Sequence, residues 1–289
     1  MKILITGGAG MLGRTLFRHL STSSMPSAAH EVVPLDRQAL DIGRPDQVRR
    51  VVRETKPDVI LHAAAMTKVD LCETERDEAF RGNALGSANI AAAATDVGAR
   101  LIAFSTDYVF SGSLDRPYHE WDAVAPKTVY GQSKLAAEVA IRQHAPNHLI
   151  LRIAWLYGPG GPSFVHTMLT LGAKTDGAAL RVVDDQRGNP TSTDAVAQAV
   201  TTLLDVPLVG TAHLTCEGEA TWFEFTQEIF RLRGFSRGVE PCTTQDYPRP
   251  APRPANSRLD NRVLRLSGLP AMPDWQASVA SFLKEYPYG

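Results

Sequence analysis

The chain has 289 residues, of which 44% are hydrophobic and 21% charged, so it can bury a sizeable core and is not a disordered tail. Its 30 Lys and Arg and 31 Asp and Glu give a formal net charge of −1. Such a balance supplies no overall field for a nucleic-acid backbone or an anionic membrane. We therefore expect a small-molecule partner, and neither nucleic acid nor a membrane.

Cysteine usage and the first residues bear on location. Cys72, Cys216 and Cys242 are odd in number and far apart, which favours reduced thiols over a disulfide framework, and no C-x-x-C pair indicates zinc. The opening apolar run breaks into glycines at Gly7, and no stretch approaches the roughly 18 apolar residues of a membrane span. These features predict a cytoplasmic protein without a targeting segment.

Strands and helices alternate through the first half of the chain. Residues 2–6 predict a strand that stops at Gly7-Gly8, and Leu12, Leu16, Phe17 and Leu20 have the spacing of a helix over 11–20. Further strands are expected at 31–35, 59–62, 101–105 and 148–153, and further helices at 46–55, 77–97 and 129–144. This alternation indicates an α/β protein with a Rossmann-like, doubly wound parallel sheet.

The pattern changes after Tyr157. Residues 184–193 read as a loop and 193–204 as a helix. We predict a dinucleotide-binding domain over 1–155 and a smaller, interleaved substrate-binding lobe over 156–289, with 190–206 returning to the first domain. Alternating prolines at 247–254 (YPRPAPRP) favour an extended path. We expect this segment to be an ordered loop; the alternative is a ligand for a proline-binding module.

A glycine motif follows the first strand. Gly7, Gly10 and Gly13 form G-x-x-G-x-x-G between strand and helix, where glycine lets the backbone approach a pyrophosphate at the helix N-terminus. An ordinary strand-to-helix turn is the alternative reading. The placement directly after a strand favours a dinucleotide site.

The second strand ends at Asp36-Arg37, where the adenosine ribose of a dinucleotide is held. A carboxylate there suits the free hydroxyl of NADH, whereas a guanidinium suits the extra phosphate of NADPH. Both cofactors therefore stay open. Asp41 and Ile42 are expected to line the adenine.

Tyr130 and Lys134 lie four residues apart, on one face of the predicted helix. An ammonium group beside a phenol, whose ordinary pKa is about 10, stabilises the phenolate and tunes proton transfer. Ser105 and Thr106 stand at the end of the fourth strand, at the edge where ligands of open sheets bind. Thr106 is our candidate for a hydroxyl that donates to the same carbonyl as the tyrosine.

These motifs resemble those of the extended short-chain dehydrogenase/reductase superfamily: Thr-Gly-Gly-x-Gly-x-x-Gly, Ser-Thr-Asp-Tyr-Val-Phe at 105–110 and Tyr-x-x-x-Lys at 130–134. Within it, Asp185-Gln186, Gly188-Asn189-Pro190-Thr191 and the segment 253–259 (RPANSRL) are similar to the dTDP-4-dehydrorhamnose reductase family. The likeness runs nearly end to end, and the 253–259 segment narrows it to this family.

The resemblance implies NADPH- or NADH-dependent reduction of the 4-keto group of dTDP-4-dehydro-L-rhamnose to dTDP-L-rhamnose. Tyr130 would protonate the C4 oxygen, Lys134 would orient the nicotinamide ribose and tune Tyr130, and Thr106 would bond the carbonyl. Other cofactor contacts implied by the match are Gly7, Gly10, Met11, Leu12, Gly13, Asp36, Arg37, Asp41, Ile42, Ala63, Ala64, Ala65 and Ser105. Implied substrate contacts are Thr67, Val69, Thr106, Tyr108 and Trp155 at the sugar, with Asn256 and Arg258 at the nucleotide.

One position departs from the family. An acidic residue shortly after the third glycine is tied to metal-bridged dimers in some members, whereas Arg14-Thr15 stands here. We therefore predict no required metal and leave a homodimer open. The alternatives are a reductase or epimerase of another nucleotide sugar, or a non-catalytic, dinucleotide-binding regulatory subunit.

Overall fold

A six-stranded parallel sheet forms the centre of the molecule. The structure is a computed structural model that describes residues 1–22, 30–174 and 178–286. The strands of the central sheet are β1 (Lys2–Thr6), β2 (Glu31–Leu35), β3 (Val59–His62), β4 (Arg100–Thr106), β5 (His148–Ile153) and β10 (Gly210–His213). Their order is β2-β1-β3-β4-β5-β10, and every neighbouring pair is parallel. The chain therefore reverses its winding direction between β1 and β3, the place where open sheets of this kind bind ligands.

Helices cover both faces of this sheet. They are α1 (Met11–Ser21), α2 (Pro45–Thr55), α3 (Val69–Thr74), α4 (Arg76–Phe80), α5 (Gly86–Asp96), α6 (Val129–His144), α7 (Phe164–Gly172), α8 (Thr193–Leu204), α9 (Trp222–Arg233), α10 (Arg262–Leu266) and α11 (Trp275–Glu285). Within β1, Ile3 and Ile5 join a core with α1, α8 and α9, whereas Leu4 joins a second core with α2 and α5. Because successive side chains of a strand point to opposite faces, one apolar run serves both cores. The predicted doubly wound fold is confirmed.

Short strands join the segments of the second half. They are β6 (Leu156–Tyr157), β7 (Leu180–Val183), β8 (Arg187–Gly188), β9 (Thr191–Ser192), β11 (Ala220–Thr221) and β12 (Val239–Cys242). They pair as β6 with β9, β7 with β12 and β8 with β11. Thr193 at the start of α8 accepts a hydrogen bond from Thr15 of α1 at 3.0 Å, so α8 lies against the first helix.

Two sequence expectations differ from the structure. The single helix expected over 77–97 is interrupted by a π-helical turn at Arg81–Leu85. In that widened turn the Asn83 side chain accepts from the backbone N–H of Met66 at 2.7 Å and donates to Ser133 at 2.9 Å. The segment 184–193, expected to be a loop, contains the two-residue strands β8 and β9, which periodicity over two residues cannot reveal.

Candidate active site

The turn from β1 into α1 is packed against the end of β3. Gly7 has a φ of +72°, and a Cβ atom there would lie 2.7 Å from the backbone nitrogen of Ala64. A Cβ on Gly13 would lie 2.2 Å from the carbonyl oxygen of Gly7. Only glycine fits at both positions, and the turn leads directly into the N-terminus of α1.

A cavity of about 570 Å³, here called the cofactor-side cavity, opens beside this turn. Most of the predicted cofactor residues line it: Gly7, Gly10, Asp36, Arg37, Asp41, Ile42, Ala63, Ala64 and Ala65. Thr67, expected at the sugar, lines this cavity as well. Leu12 is buried in the core, so only its backbone is available to a ligand, whereas Met11 is partly exposed.

Acidic and basic groups meet at the far end of the cofactor-side cavity. Asp36 Oδ1 accepts the backbone N–H groups of Gln38 and Ala39, both at 2.9 Å, and Arg37 is exposed. Asp41 Oδ2 accepts from Arg81 at 2.6 Å, and this hydrogen bond holds the pKa of Asp41 below its usual value. The end of β2 thus offers one carboxylate and one unrestrained guanidinium, in agreement with a ribose or phosphate site.

Tyr130 and Lys134 lie on consecutive turns of α6, and both are buried. The Lys134 ammonium donates to the carbonyl oxygen of Phe104 in β4 at 2.8 Å. Burial lowers the pKa of Lys134 to about 8, opposed by the negative charge of Glu138. Burial also raises the pKa of Tyr130 above its usual value, opposed by a hydrogen bond with Thr106. The phenol therefore stays protonated at neutral pH next to a buried cation.

Thr106 links the tyrosine to a buried carboxyl group. Its hydroxyl donates to Asp107 Oδ1 at 2.9 Å and accepts the backbone N–H of Tyr108 at 3.2 Å. Burial raises the pKa of Asp107 to about 6. The ring of Tyr108 meets the ring of Tyr130 edge-on, with centroids 5.6 Å apart. The three predicted catalytic residues are thus brought together, with Asp107 and Tyr108 beside them.

A second cavity of about 490 Å³, here called the substrate-side cavity, is lined in part by Tyr108. Trp155 lines it and stacks on Trp222, with ring centroids 3.4 Å apart and planes at 4°. Trp155 has a φ of +47°, a conformation that a bulky residue adopts only when its surroundings impose it. A Cβ on Gly188 would lie 2.3 Å from the Trp155 indole, so this glycine is needed for the ring position.

Several residues of the substrate-side cavity were not among the predicted site residues: Phe164, Arg181, Gln186, Trp222, Arg249 and Arg253. Arg253 pairs with Asp70 at 2.8 Å, and Asp70 also accepts the backbone N–H of Ala251 at 3.2 Å. The 247–254 segment runs without helix or strand along this wall. Its arginines between prolines were the available signal, but only the fold shows that they face a cavity.

Four predicted residues point elsewhere. The Ser105 hydroxyl donates to Glu138 at 2.6 Å, and Val69 packs in the apolar cluster around Tyr130. The Asn256 amide donates to the carbonyl groups of Leu114 and Arg116, and Arg258 pairs with Glu219 at 2.8 Å. The side chains of all four residues are engaged with protein partners, and of the 253–259 segment only Arg253, Pro254 and Ser257 line the substrate-side cavity.

Within residues 1–22, 30–174 and 178–286, no group of three or more His, Cys, Asp or Glu side chains is placed to hold a metal ion. No helix in the same ranges is both long and apolar enough to cross a bilayer.

The sheet order, the glycine turn at its switch point and the buried Thr106, Tyr130 and Lys134 define the class, an α/β dinucleotide-binding protein of the extended short-chain dehydrogenase/reductase type. Comparison with known proteins gives the particular family. A family model described as "RmlD substrate binding domain" matches residues 1–287, and the chain belongs to this family.

Relatives and solved structures agree with this membership. A dTDP-4-dehydrorhamnose reductase from Clostridium acetobutylicum is 43% identical, with a TM-score of 0.95 and 100% coverage of both chains. The dTDP-4-dehydrorhamnose reductase of Bacillus anthracis, solved in complex with NADP, is 37% identical, with a TM-score of 0.93 and 99% coverage of both chains. A probable dTDP-4,6-dihydroxy-2-methyloxan-3-one 4-ketoreductase from Streptomyces antibioticus is 40% identical, covering 96% of this chain and 93% of the relative.

Proposed function

We propose that the protein reduces the 4-keto group of dTDP-4-dehydro-L-rhamnose to dTDP-L-rhamnose with NADPH or NADH. The observation that carries this proposal is the position of Tyr130. The buried phenol packs edge-on against Tyr108, which lines the substrate-side cavity, and lies beside Thr106 at the carboxyl edge of the sheet. We infer the substrate from the relatives that are dTDP-4-dehydrorhamnose reductases, and the reaction chemistry from the residues of the site.

The cofactor-side cavity fits a dinucleotide. The close packing that Gly7 and Gly13 allow brings the β1–α1 turn against the end of β3, beside the cavity, and the α1 N-terminus to which it leads favours a pyrophosphate. Gly7, Gly10 and the backbone of Met11 and Leu12 would hold the pyrophosphate. Asp36 and Arg37 would contact the adenosine ribose, and Asp41 and Ile42 the adenine. The backbone after β3, at Ala63, Ala64 and Ala65, would face the cofactor. Reduced nicotinamide supplies a hydride when bound.

Tyr130 acts as the general acid. As the carbonyl oxygen gains negative charge, the protonated phenol gives it a proton, and the nearby Lys134 ammonium lowers the cost of the resulting phenolate. The Thr106 hydroxyl, which donates to Asp107 Oδ1 in this structure, would turn its proton to the same oxygen when substrate is bound. Because burial raises the pKa of Tyr130, the acid form is fully populated at neutral pH.

The substrate-side cavity fits a sugar nucleotide. Tyr108, Trp155 and Trp222 offer flat apolar surfaces to a deoxysugar ring and a base. Arg181, Arg249 and Arg253 line the same cavity and carry the forked donors that match a diphosphate. We assign the diphosphate to these arginines, and we assign Asn256 and Arg258 to holding the 253–259 segment in place.

Location and assembly are part of the proposal. We infer a cytoplasmic enzyme whose partner is a nucleotide sugar, with neither nucleic acid nor a membrane involved. A homodimer stays open, and so does our prediction that no divalent metal is required. Activity restored by a metal after chelation would contradict the latter.

The test is cofactor oxidation followed at the nicotinamide absorbance band, with dTDP-4-dehydro-L-rhamnose prepared enzymatically and the product identified by mass spectrometry and NMR. We expect oxidation of NADPH, NADH or both, with dTDP-L-rhamnose as product. The Streptomyces antibioticus relative favours a second candidate, another dTDP-linked 4-keto sugar, which is assayed in parallel. If the cofactor binds but is not oxidised with any of these 4-keto sugars, the result would favour a non-catalytic regulatory subunit.

A further inference from the structure

The end of β4 is attached to α6 through three consecutive residues. Lys134 of α6 donates to the Phe104 carbonyl oxygen at 2.8 Å, and the Tyr130 phenol lies close enough to Thr106 for that hydroxyl to act on its pKa. Ser105, between them, donates its hydroxyl to Glu138 Oε1 at 2.6 Å. Tyr130, Lys134 and Glu138 are spaced by four residues, so they lie along one face of the helix.

Glu138 has all of its hydrogen-bonding capacity engaged. Its side chain is 1% exposed, and Arg152 of β5, 3% exposed, binds both carboxylate oxygens at 2.9 and 2.8 Å. Arg142, one helical turn further on, donates at 2.7 Å. One carboxylate thus joins α6 to two neighbouring strands, β4 and β5.

Stability alone is a weak reason for this arrangement. Removing two charges from water costs about as much as their attraction returns, so a buried ion pair often stabilises no better than apolar residues. What the pair provides here is a fixed position. Sliding or rotation of α6 over β4 would break the contacts of Glu138 with Ser105 and Arg152, and the same movement would displace Tyr130 from Thr106.

We propose that Glu138 is a positioning residue for the reduction, which holds α6 in register with β4 so that Tyr130 and Lys134 face the carbonyl beside Thr106. This inference rests on the proposed function. Glu138 itself touches neither cavity wall and acts through Ser105, Arg152 and Lys134.

The charge of Glu138 also acts on Lys134. The groups that face Lys134 are Glu138 on α6, His62 on β3 and the Phe104 carbonyl on β4. Burial keeps His62 neutral by lowering its pKa to about 3, and the Lys134 charge adds to this. Burial lowers the pKa of Lys134 and Glu138 opposes that, so without the carboxylate the ammonium would lose its proton at a lower pH.

The experiment compares wild type with Glu138→Gln, Ser105→Ala and a matched control, Glu120→Gln. Glu120 is a second buried glutamate, whose side chain accepts the backbone N–H groups of His213 and Val263; its backbone carbonyl accepts from Arg152 at 3.5 Å, and the substitution leaves that carbonyl in place. For folded Glu138→Gln we expect kcat to fall by about 10- to 100-fold, the size of effect that a misplaced catalytic group produces. KM and the NADPH Kd should stay within about twofold, because this side chain does not line the cavities.

A second readout is independent of turnover. Lysine labelled with ¹³C at the ε carbon reports the titration of Lys134 by NMR, assigned by the peak that Lys134→Arg removes. We expect a lower midpoint in Glu138→Gln than in wild type, and an unchanged midpoint in Ser105→Ala and Glu120→Gln. If Glu138→Gln does not fold, Ser105→Ala decides the matter, with an expected fall in kcat of about 3- to 10-fold at unchanged KM.

The outcomes separate the two claims. If the wild type is inactive but the Lys134 titration midpoint is lower in Glu138→Gln as expected, the proposed function is wrong and the coupling of Glu138 to Lys134 is retained. An active wild type, with kcat unchanged in Glu138→Gln or in Ser105→Ala, overturns the positioning role. Equal losses in Glu138→Gln and Glu120→Gln would also overturn it, since they would indicate a general cost of disturbing the core.

Discussion

The cofactor-side cavity and the substrate-side cavity are built in different ways. The cofactor-side cavity is lined by glycines, alanines and strand-end residues from β1, β2 and β3, which are close in the sequence as well as in space. The substrate-side cavity is lined by aromatic and arginine side chains drawn from positions between 70 and 257. A backbone-lined site is set by local turns, whereas a side-chain-lined site exists only after distant segments have packed together. A substitution in one cavity should therefore leave ligand binding in the other cavity unchanged.

The largest effect is expected at Tyr130. Tyr130→Phe removes the proton donor while keeping the ring that packs against Tyr108, so kcat should fall by about 10²- to 10⁴-fold. The NADPH Kd and the substrate KM should change by less than about threefold, because general acid catalysis acts mainly in the transition state. Steady-state kinetics with cofactor binding by fluorescence checks this, and a kcat within threefold of wild type would refute the assigned role.

Adding one methyl group at Gly188 should weaken binding of the substrate but not of the cofactor. In Gly188→Ala the new Cβ would lie 2.3 Å from the Trp155 indole, which must then move within the cavity. We expect the substrate KM to rise by about 10-fold or more, since roughly 1.4 kcal/mol of lost contact is tenfold in affinity. The NADPH Kd should not change. Gly238→Ala, whose Cβ would meet Ala179 at an ordinary 3.4 Å, is the control; equal effects in both variants would contradict the account.

A charge removal should affect the cofactor side alone. Arg37 is exposed at the end of β2, beside the expected ribose of the cofactor. Arg37→Ala should raise the Kd for NADPH by about tenfold, the worth of a charge-assisted hydrogen bond, and leave that for NADH within about twofold. Titration with both cofactors measures this. Equal changes for the two cofactors would show that Arg37 does not contact a 2′-phosphate.

The smallest effect concerns pH. Because burial lowers the pKa of Lys134 to about 8, the free enzyme loses the ammonium as the pH rises through that value, and kcat/KM should decline above about pH 8. In Lys134→Arg, where the guanidinium stays charged to about pH 12, the remaining activity should lack this decline. Rate profiles from pH 6 to about pH 10 test it; a wild-type kcat/KM that is flat to pH 9.5 would exclude control by Lys134.

Burial of Lys134 also makes the stability of the folded protein depend on pH. The pKa of Lys134 is lowered from 10.5 to about 8 on folding, so the unfolded chain takes up this proton first and the native state loses stability as the pH falls from 10.5 to about 8. Activity and stability therefore respond to this group in opposite directions. The protein keeps the charged form because the proposed chemistry needs it.

The sequence predicted the cofactor side far better than the substrate side. Gly7, Asp36 and Ala64 follow strands whose apolar runs are readable, and parallel strands bring their ends to one edge. Arg181 and Trp222 carry no local signal, and the prolines around Arg249 predict only an extended path, because the meeting of the three residues depends on the β7–β12 pair and on where the proline-rich segment runs. Asn256 and Arg258 carried a strong family signal, but the structure turns their side chains to protein partners.

The central claim is that the cofactor hydride and the Tyr130 proton are delivered to one carbonyl group. The most direct measurement supplies NADPH deuterated at C4, in each of its two stereochemical forms, with dTDP-4-dehydro-L-rhamnose, and locates the label by NMR. The account predicts one deuterium at C4 of dTDP-L-rhamnose from one of the two forms. Deuterium at any other carbon, or cofactor oxidation without label in the sugar from either form, would contradict it.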